Sequence, residues 1–373
     1  MGTVTFNGNS SSTIGVELEL GLCNVDTGAL SSSVQDVLGT LPPKMLERTK
    51  LELMQCYVEI NTGICHSVGD VEADLRSSIT QLESTCDNLG LKLWWGATHP
   101  SCNWREQRVS PSKRYEDLVV LLQDMARRLI TFGLHVHIGV DSGDKAVMIC
   151  DRIMQHLPTL LAISCSSPFW QRRDTGLESY RSKIMEGLPT AGLPTLMRNW
   201  SEYVWLINHL VDTGFINTIR EIWWDVRPHH GFGTVEVRIC DMPGSLDEVL
   251  AITALVQSLV HHLSNEIDEG TYQHDCHPMM VRQNKWRACR FGRQANLVNS
   301  YTYNVQPVVK EVDRVVSILG DTAIDLRCAD YLNRLPEITR QPSLAQRQRQ
   351  IREANDGDLA AVVHELTRAS RIS

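Results

Sequence analysis

Thr13–Leu20 reads TIGVELEL, and three further segments share its construction: Leu51–Ile60 (LELMQCYVEI), Leu134–Val140 (LHVHIGV) and Thr234–Cys240 (TVEVRIC). Each is an apolar run interrupted by charged or imidazole side chains two residues apart. In an extended chain, side chains alternate faces with a period of two. Glu17 and Glu19 therefore share one face of their strand, as do His135 and His137, and Glu236 and Arg238. Ionised groups are too costly to bury alone and persist where they bind a cation or one another. Carboxylates, two imidazoles and an arginine gathered on one sheet face predict a metal and phosphate site.

The spacing of these strands, with helical stretches between them, predicts an α+β fold. The alternation of polar and apolar residues predicts a mostly antiparallel sheet with one face lining a cavity, since buried parallel strands read as continuous apolar runs. Val71–Leu89 has a helical period closed by Gly90, and a helix from Ser110–Pro111 carries Leu118, Leu122, Met125 and Leu129 on one face up to Gly133. Asp144–Cys165 reads as helical with a break at Pro158. Ser245 and Glu248 have the spacing of a capping box. Beyond about Lys285 every periodic segment is helical, including Val308–Leu319 with Gly320 as its stop. Residues 1–12 are rich in Gly, Asn and Ser and are expected to be disordered. No linker divides residues 13–373, so one domain is expected.

A 373-residue chain with 42% apolar residues, 21% charged residues and a net charge of −8 has no general attraction to nucleic acid or anionic membranes. Eleven cysteines, an odd number with no C-x-x-C pair, fit free thiols in the cytoplasm. No apolar stretch approaches the roughly 18 residues of a membrane span.

Hard oxygen donors suit Mg²⁺ or Mn²⁺. Glu52 and Glu59 are seven apart, on opposite faces of a regular strand unless a bulge intervenes; Glu59, at a strand end, is the better ligand. His274, Cys276 and His277 read as a polar loop, not a zinc site. Phosphate-cradling glycine loops are absent, so a nucleotide would rest on scattered basic groups. Lys113 and Arg114, Arg181, and Lys285, Arg287 and Arg290 are candidates. Arginine beside metal-binding carboxylates suits phosphoryl transfer, because its planar fork neutralises charge on phosphate oxygens.

TIGVELEL at Thr13, ATHP at Ala97, RY at Arg114, FGLHVHIGV at Phe132, WWDVRP at Trp223, FGTVEVRICDMP at Phe232 and NKWRACRFG at Asn284 occur together and in order. On these segments the chain resembles the bacterial carboxylate–amine ligases of the glutamate–cysteine ligase type 2 family, over nearly its whole length. The resemblance implies a glutamine synthetase-like fold, in which a curved antiparallel sheet forms a funnel surrounded by helices. It implies an ATP-dependent ligase joining the γ-carboxylate of L-glutamate to the amine of L-cysteine, or a similar amine, through an acyl phosphate. Glu17, Glu19, Glu59, His135 and Glu236 then hold two or three Mg²⁺ ions, with Glu52 and His137 as further members of the set. Arg238 faces the γ-phosphate, Lys285 and Arg290 add phosphate or substrate contacts, and Arg114, Arg181 and Arg227 approach the amino acid. A homodimer is also implied. Ser101–Cys102 departs from the aromatic residue that often follows ATHP in relatives, in a loop expected to border the acceptor pocket. Two other classes fit the residues taken alone: a divalent-metal hydrolase built on the His-x-His strand, and a non-catalytic ligand-binding protein.

Overall fold

A computed structural model describes residues 4–271, 276–300 and 302–372. Seven strands form one sheet: β1 (Ile14–Asn24), β2 (Thr49–Leu51), β3 (Tyr57–Asn61), β4 (Leu91–Trp94), β5 (Leu134–Gly139), β6 (Val226–His229) and β7 (Thr234–Val237). Their order is β6-β7-β5-β1-β3-β2, with β4 pairing the far end of β1, and every neighbouring pair is antiparallel. The fold is therefore the α+β arrangement with an antiparallel sheet that the alternating pattern predicts.

One face of the sheet is apolar. Val16, Leu18 and Leu20 of β1, Val58 and Ile60 of β3, Val136 and Ile138 of β5 and Val235 and Val237 of β7 are all buried. The helices Val68–Asn88 and Leu246–Asp268 pack against this face. Helical propensity alone would not hold such elements in place; burial of their apolar stripes does. The opposite face carries the charged residues.

Several elements differ from the sequence reading. Leu51–Ile60 is not one strand: β2 and β3 form a hairpin, with residues 52–56 as the turn. The turn is held by Gln55 N–H donating to Arg108 O, and Cys56 O accepting from Leu22 N–H. The helix expected from Ser110 to Gly133 is two shorter ones, Lys113–Leu122 and Asp124–Arg127, broken where Gln123 adopts a left-handed φ of 49°. Asp144–Cys165 divides into Gly143–Ile153 and Leu157–Ser164, bent by 66°. Pro158 sits in the first turn of the second helix, where its missing N–H costs nothing, so the break precedes the proline.

The Ser245 hydroxyl caps its helix by accepting from Glu248 N–H, but the Glu248 carboxylate turns to Gly244 N–H and Arg293, so the box is half made. Beyond Lys285 the chain is not all helical. Asn296–Val298 and Val305–Pro307 form a hairpin, too short for a readable period, anchored by the Asn284 side chain on both backbone groups of Val298. Gly320 opens the helix Gly320–Asp325 and does not merely end the one before it.

Residues 4–12, expected to fray, are tied down: Asn7 N–H donates to His230 O (2.9 Å) and Asn9 N–H to Val140 O (2.7 Å). His277 caps the helix Pro278–Phe291 by accepting from Met279 N–H, and His274 lies outside the described residues. Among the described residues no single helix is long and apolar enough to cross a membrane.

The ATHP segment carries a stability switch. His99 is fully buried, 2.9 Å from Gly28 O through Nε2, and burial pushes its pKa from 6.5 down to about 4. The folded state thus disfavours the charged form. Its contribution to stability is whole above pH 6.5 and is lost as pH falls towards 4, by about 3 kcal/mol in all. Denaturant midpoints measured from pH 7 to 4 should fall less steeply in His99→Gln than in the wild type; identical slopes would remove His99 from this role.

Candidate active site

Directly opposed residues on neighbouring strands share a face, and the register here aligns the polar groups in rows. Lys50, Glu59 and Glu19 form one row across β2, β3 and β1; Asn61, Glu17 and His135 form the next; Arg227, Glu236 and His137 form a third across β6, β7 and β5. Like charges directly opposed, as in Glu19 and Glu59, destabilise a sheet unless something neutralises them.

Among the described residues two groups of three donors result. Glu17, Glu59 and His135 place ligand atoms within 4.8 Å of one another, as do Glu17, His137 and Glu236. Glu17 belongs to both. His135 Nδ1 lies 3.1 Å from Glu17 Oε2. His137 Nδ1 lies 3.1 Å from Thr234 Oγ1, which leaves Nε2 turned to Glu17 Oε1 (3.5 Å) and Glu236 Oε1 (3.8 Å). That buried nitrogen has no hydrogen-bond partner. An orphaned imidazole nitrogen between two carboxylates fits a divalent cation, and the oxygen-rich donor set fits Mg²⁺ or Mn²⁺. The two histidines fall in different groups, so no group among the described residues offers an ion the paired histidines on which a hydrolase reading rests.

The electrostatics separate the carboxylates. Burial would raise Glu17, but the hydrogen bond with His135 and the nearby imidazole of His137 outweigh it and hold its pKa well below the ordinary value. Burial pushes Glu19 up to about 7, with Arg181 opposing. Burial and the charge of Glu17 raise Glu59; burial and the charges of Glu59 and Glu19 raise Glu52. Such crowding of buried carboxylates is relieved by a cation. Burial, then Arg238, lowers His135 to about 4, so it stands as a neutral ligand. Glu236 is 1% exposed, and burial would raise its carboxyl; Arg227 and Arg238, on either side of it, hold its pKa well below the usual range.

Two cavities open over this face. The larger, about 440 Å³, is bordered by Glu17, Lys50, His137, Gly63, Ile64 and Phe232. The smaller, about 100 Å³, is bordered by Glu19, Glu52, Arg114, Arg181, Trp223 and Arg238.

The hairpin accounts for Glu52. Because the chain reverses between β2 and β3, this residue faces the smaller cavity beside Tyr115 without a bulge, and it belongs to neither donor group. Arg181, 4% exposed, is held by Ile239 O and Arg238 O, with its Nε unpartnered. Arg114 is exposed at the edge of the same cavity. Arg227 is spent on Glu236, donating to it at 2.7 and 3.3 Å, and lines neither cavity.

Lys285 is also committed elsewhere, to Asp225 (2.6 Å) and Glu186 (2.8 Å), which explains its burial without a phosphate. Arg290 is exposed, over the Phe291 ring, and is not brought to the site. Both lie on the helix Pro278–Phe291, where the motif's spacing could not reveal their partners. Ser101 and Cys102 line neither cavity.

Lys50, Asn61 and Gly133 escaped the sequence reading. Lys50 and Asn61 hold Glu59 at 3.2 and 2.9 Å; only the register of β2 on β3 reveals them. Gly133 N–H donates to Glu19 Oε2 (2.6 Å), and a Cβ at this position would come within 2.9 Å of Arg181 Cζ. Gly133→Ala should therefore displace the guanidinium and lower stability by about 1–3 kcal/mol. Thermal unfolding of the variant checks this, and an unchanged midpoint would show that the guanidinium moves aside at no cost.

The sequence pattern of the glutamate–cysteine ligase family 2 matches residues 13–365. A glutamate–cysteine ligase 2 relative from Gloeobacter violaceus is 42% identical over 366 residues, covering 98% of each chain, and one from Frankia alni is 40% identical over 367 residues, covering 97% of this chain and 96% of its own. Among solved structures, glutamate–cysteine ligase of Francisella tularensis in complex with AMP superposes with a TM-score of 0.68 at 13% identity, covering 99% of this chain and 91% of that one. A bifunctional glutathione synthetase of Pasteurella multocida gives 0.67 at 13% identity, covering 96% of this chain and 52% of that one. At such identity the two solved structures speak for the fold alone. The match over residues 13–365, together with relatives near 40% identity along the full chain, shows that the protein belongs to the glutamate–cysteine ligase family 2.

Proposed function

We propose that this family-2 ligase condenses the γ-carboxylate of L-glutamate with the amine of L-cysteine or a similar amino acid, at the expense of ATP and through an acyl phosphate. The observation that carries the reading is Glu17, shared by two donor groups, with arginines on the side of the smaller cavity. ATP suits the larger cavity, where Ile64 and Phe232 offer exposed apolar surface to a base and Lys50 and the Glu17 row lie at the polar edge. The amino acid suits the smaller one, where Arg181, Arg114 and Arg238 can meet carboxylates.

In the first step a carboxylate oxygen of the donor attacks the γ-phosphorus, and ADP leaves. In the second the acceptor amine attacks the acyl carbon, phosphate leaves and the amine's proton is lost. Both steps bring anions together, so the protein's task is positioning and charge compensation, with no covalent nucleophile. Arg238 can donate to a phosphoryl oxygen while Glu236 fixes its fork. Arg181 orients the donor. Glu17, Glu59, His135, His137 and Glu236 would hold Mg²⁺ or Mn²⁺, which would supply positive charge to screen the repulsion between the reacting anions.

Incubation with ATP, Mg²⁺ and paired amino acids, followed by mass spectrometry, tests the assignment. Amide product and phosphate should appear together and only when both amino acids are present. Phosphate release independent of any amino acid would defeat the reading.

A further inference from the structure

A third cavity, of about 400 Å³, shares no lining residue with the two over the sheet. Met154, Leu196 and Val281 give it an apolar wall, and Arg152 and Arg282 border it. Arg152 Nη2 donates to Thr271 O (3.2 Å), but its Nη1 is buried with no hydrogen-bond partner. Neither arginine forms an ion pair among the described residues. Asp151, the one carboxylate among the described lining residues, accepts from Met197 and Arg198 N–H. A buried guanidinium donor left unmade is costly, and the planar fork is best satisfied by a carboxylate or phosphate. The volume suits a small molecule with an apolar body.

We propose that this cavity is a second small-molecule site, taking an organic anion whose carboxylate or phosphate meets Arg152 and Arg282 and whose apolar part lies on Met154 and Leu196. Both of its walls end on the active site. Leu193–Leu196 follow directly on Ala191–Gly192, which pair with Trp223–Trp224; Asp225 N–H then donates to Gly192 O (2.8 Å). One turn beyond Arg282, Lys285 grips Asp225 Oδ2 (2.6 Å), and Asp225 O accepts from Arg238 N–H (2.8 Å). Trp223 and Arg238 line the smaller active-site cavity. Occupation of the third cavity is thereby transmitted to the amino-acid pocket. This coupling rests on the function proposed above; the binding does not.

Cys276 lines the cavity and is partly exposed, whereas the other ten cysteines are buried, so it reports on the site. The native enzyme is treated with dithiobis(nitrobenzoate), an aromatic dianion, and with neutral dithiodipyridine. In each case the Cys276 thiolate attacks a disulfide sulfur, a mixed disulfide forms and one arylthiolate leaves. The anionic reagent should be favoured about tenfold more than it is by a free thiol such as glutathione, the adduct mapping to Cys276 by peptide mass spectrometry. In Arg152→Leu/Arg282→Leu the preference should vanish. Benzoate or phenyl phosphate, according to which anion the site prefers, should slow labelling, and phenol should not. Preference that survives the double substitution, or an adduct on another cysteine, would overturn the site. The adduct should also shift KM for the donor amino acid about fivefold, reversibly on reduction. An unchanged KM in fully labelled, active enzyme would overturn the coupling, whereas labelling as expected on an enzyme making no amide would count against the ligase reading alone.

Discussion

Glu17→Gln is expected to lower kcat for amide formation by about 1000-fold, several kcal/mol of transition-state stabilisation, while the protein stays folded. Glu17 is the one carboxylate common to both donor groups, so its loss weakens two cation sites together. Glutamine keeps the size and an oxygen that can accept from His135, and the side chain is 16% exposed, so little buried charge is stranded. Glu236→Gln would be a poorer test. Glu236 is buried between Arg227 and Arg238, and neutralising it leaves two partly buried guanidiniums short of their partner, at about 3 kcal/mol of stability. Turnover and Mn²⁺ binding, the latter followed by electron paramagnetic resonance, should fall together in Glu17→Gln with the melting temperature nearly kept. Wild-type kcat in that variant would end the metal-site reading.

Arg238→Lys is expected to cost about 3 kcal/mol at the transition state, roughly 100-fold in kcat, with a smaller effect on KM for ATP. Lysine keeps the positive charge beside Glu236, so the fold is preserved. It lacks the fork that would reach Glu236 and a phosphoryl oxygen at once. Steady-state kinetics of the variant decide the point: a rate within twofold of wild type would remove Arg238 from the phosphate and return it to a structural pair.

The contrast between Glu52 and Arg290 shows where sequence reading stops. The sequence motifs place both at the site. Glu52 reaches it although its strand phase is wrong, because an unrecognised hairpin turns the chain back. Arg290 does not, because on a helix a motif's spacing leaves undecided which side meets the sheet. Lys285, within the same motif, is buried as a phosphate ligand would be, yet two carboxylates that lie far from it in sequence already satisfy it.

Period-two alternation by itself determined the antiparallel sheet, its wet and dry faces and the acidic, imidazole and arginine set on the wet one, because side-chain direction in a strand is a local property of the backbone. Only the tertiary structure decided that Glu17 serves two groups, that Lys50 and Asn61 hold Glu59, that Arg227 is spent on Glu236, and that Gly133 makes room for Arg181. These depend on strand register and on contacts between residues distant in the chain, and no local pattern encodes either.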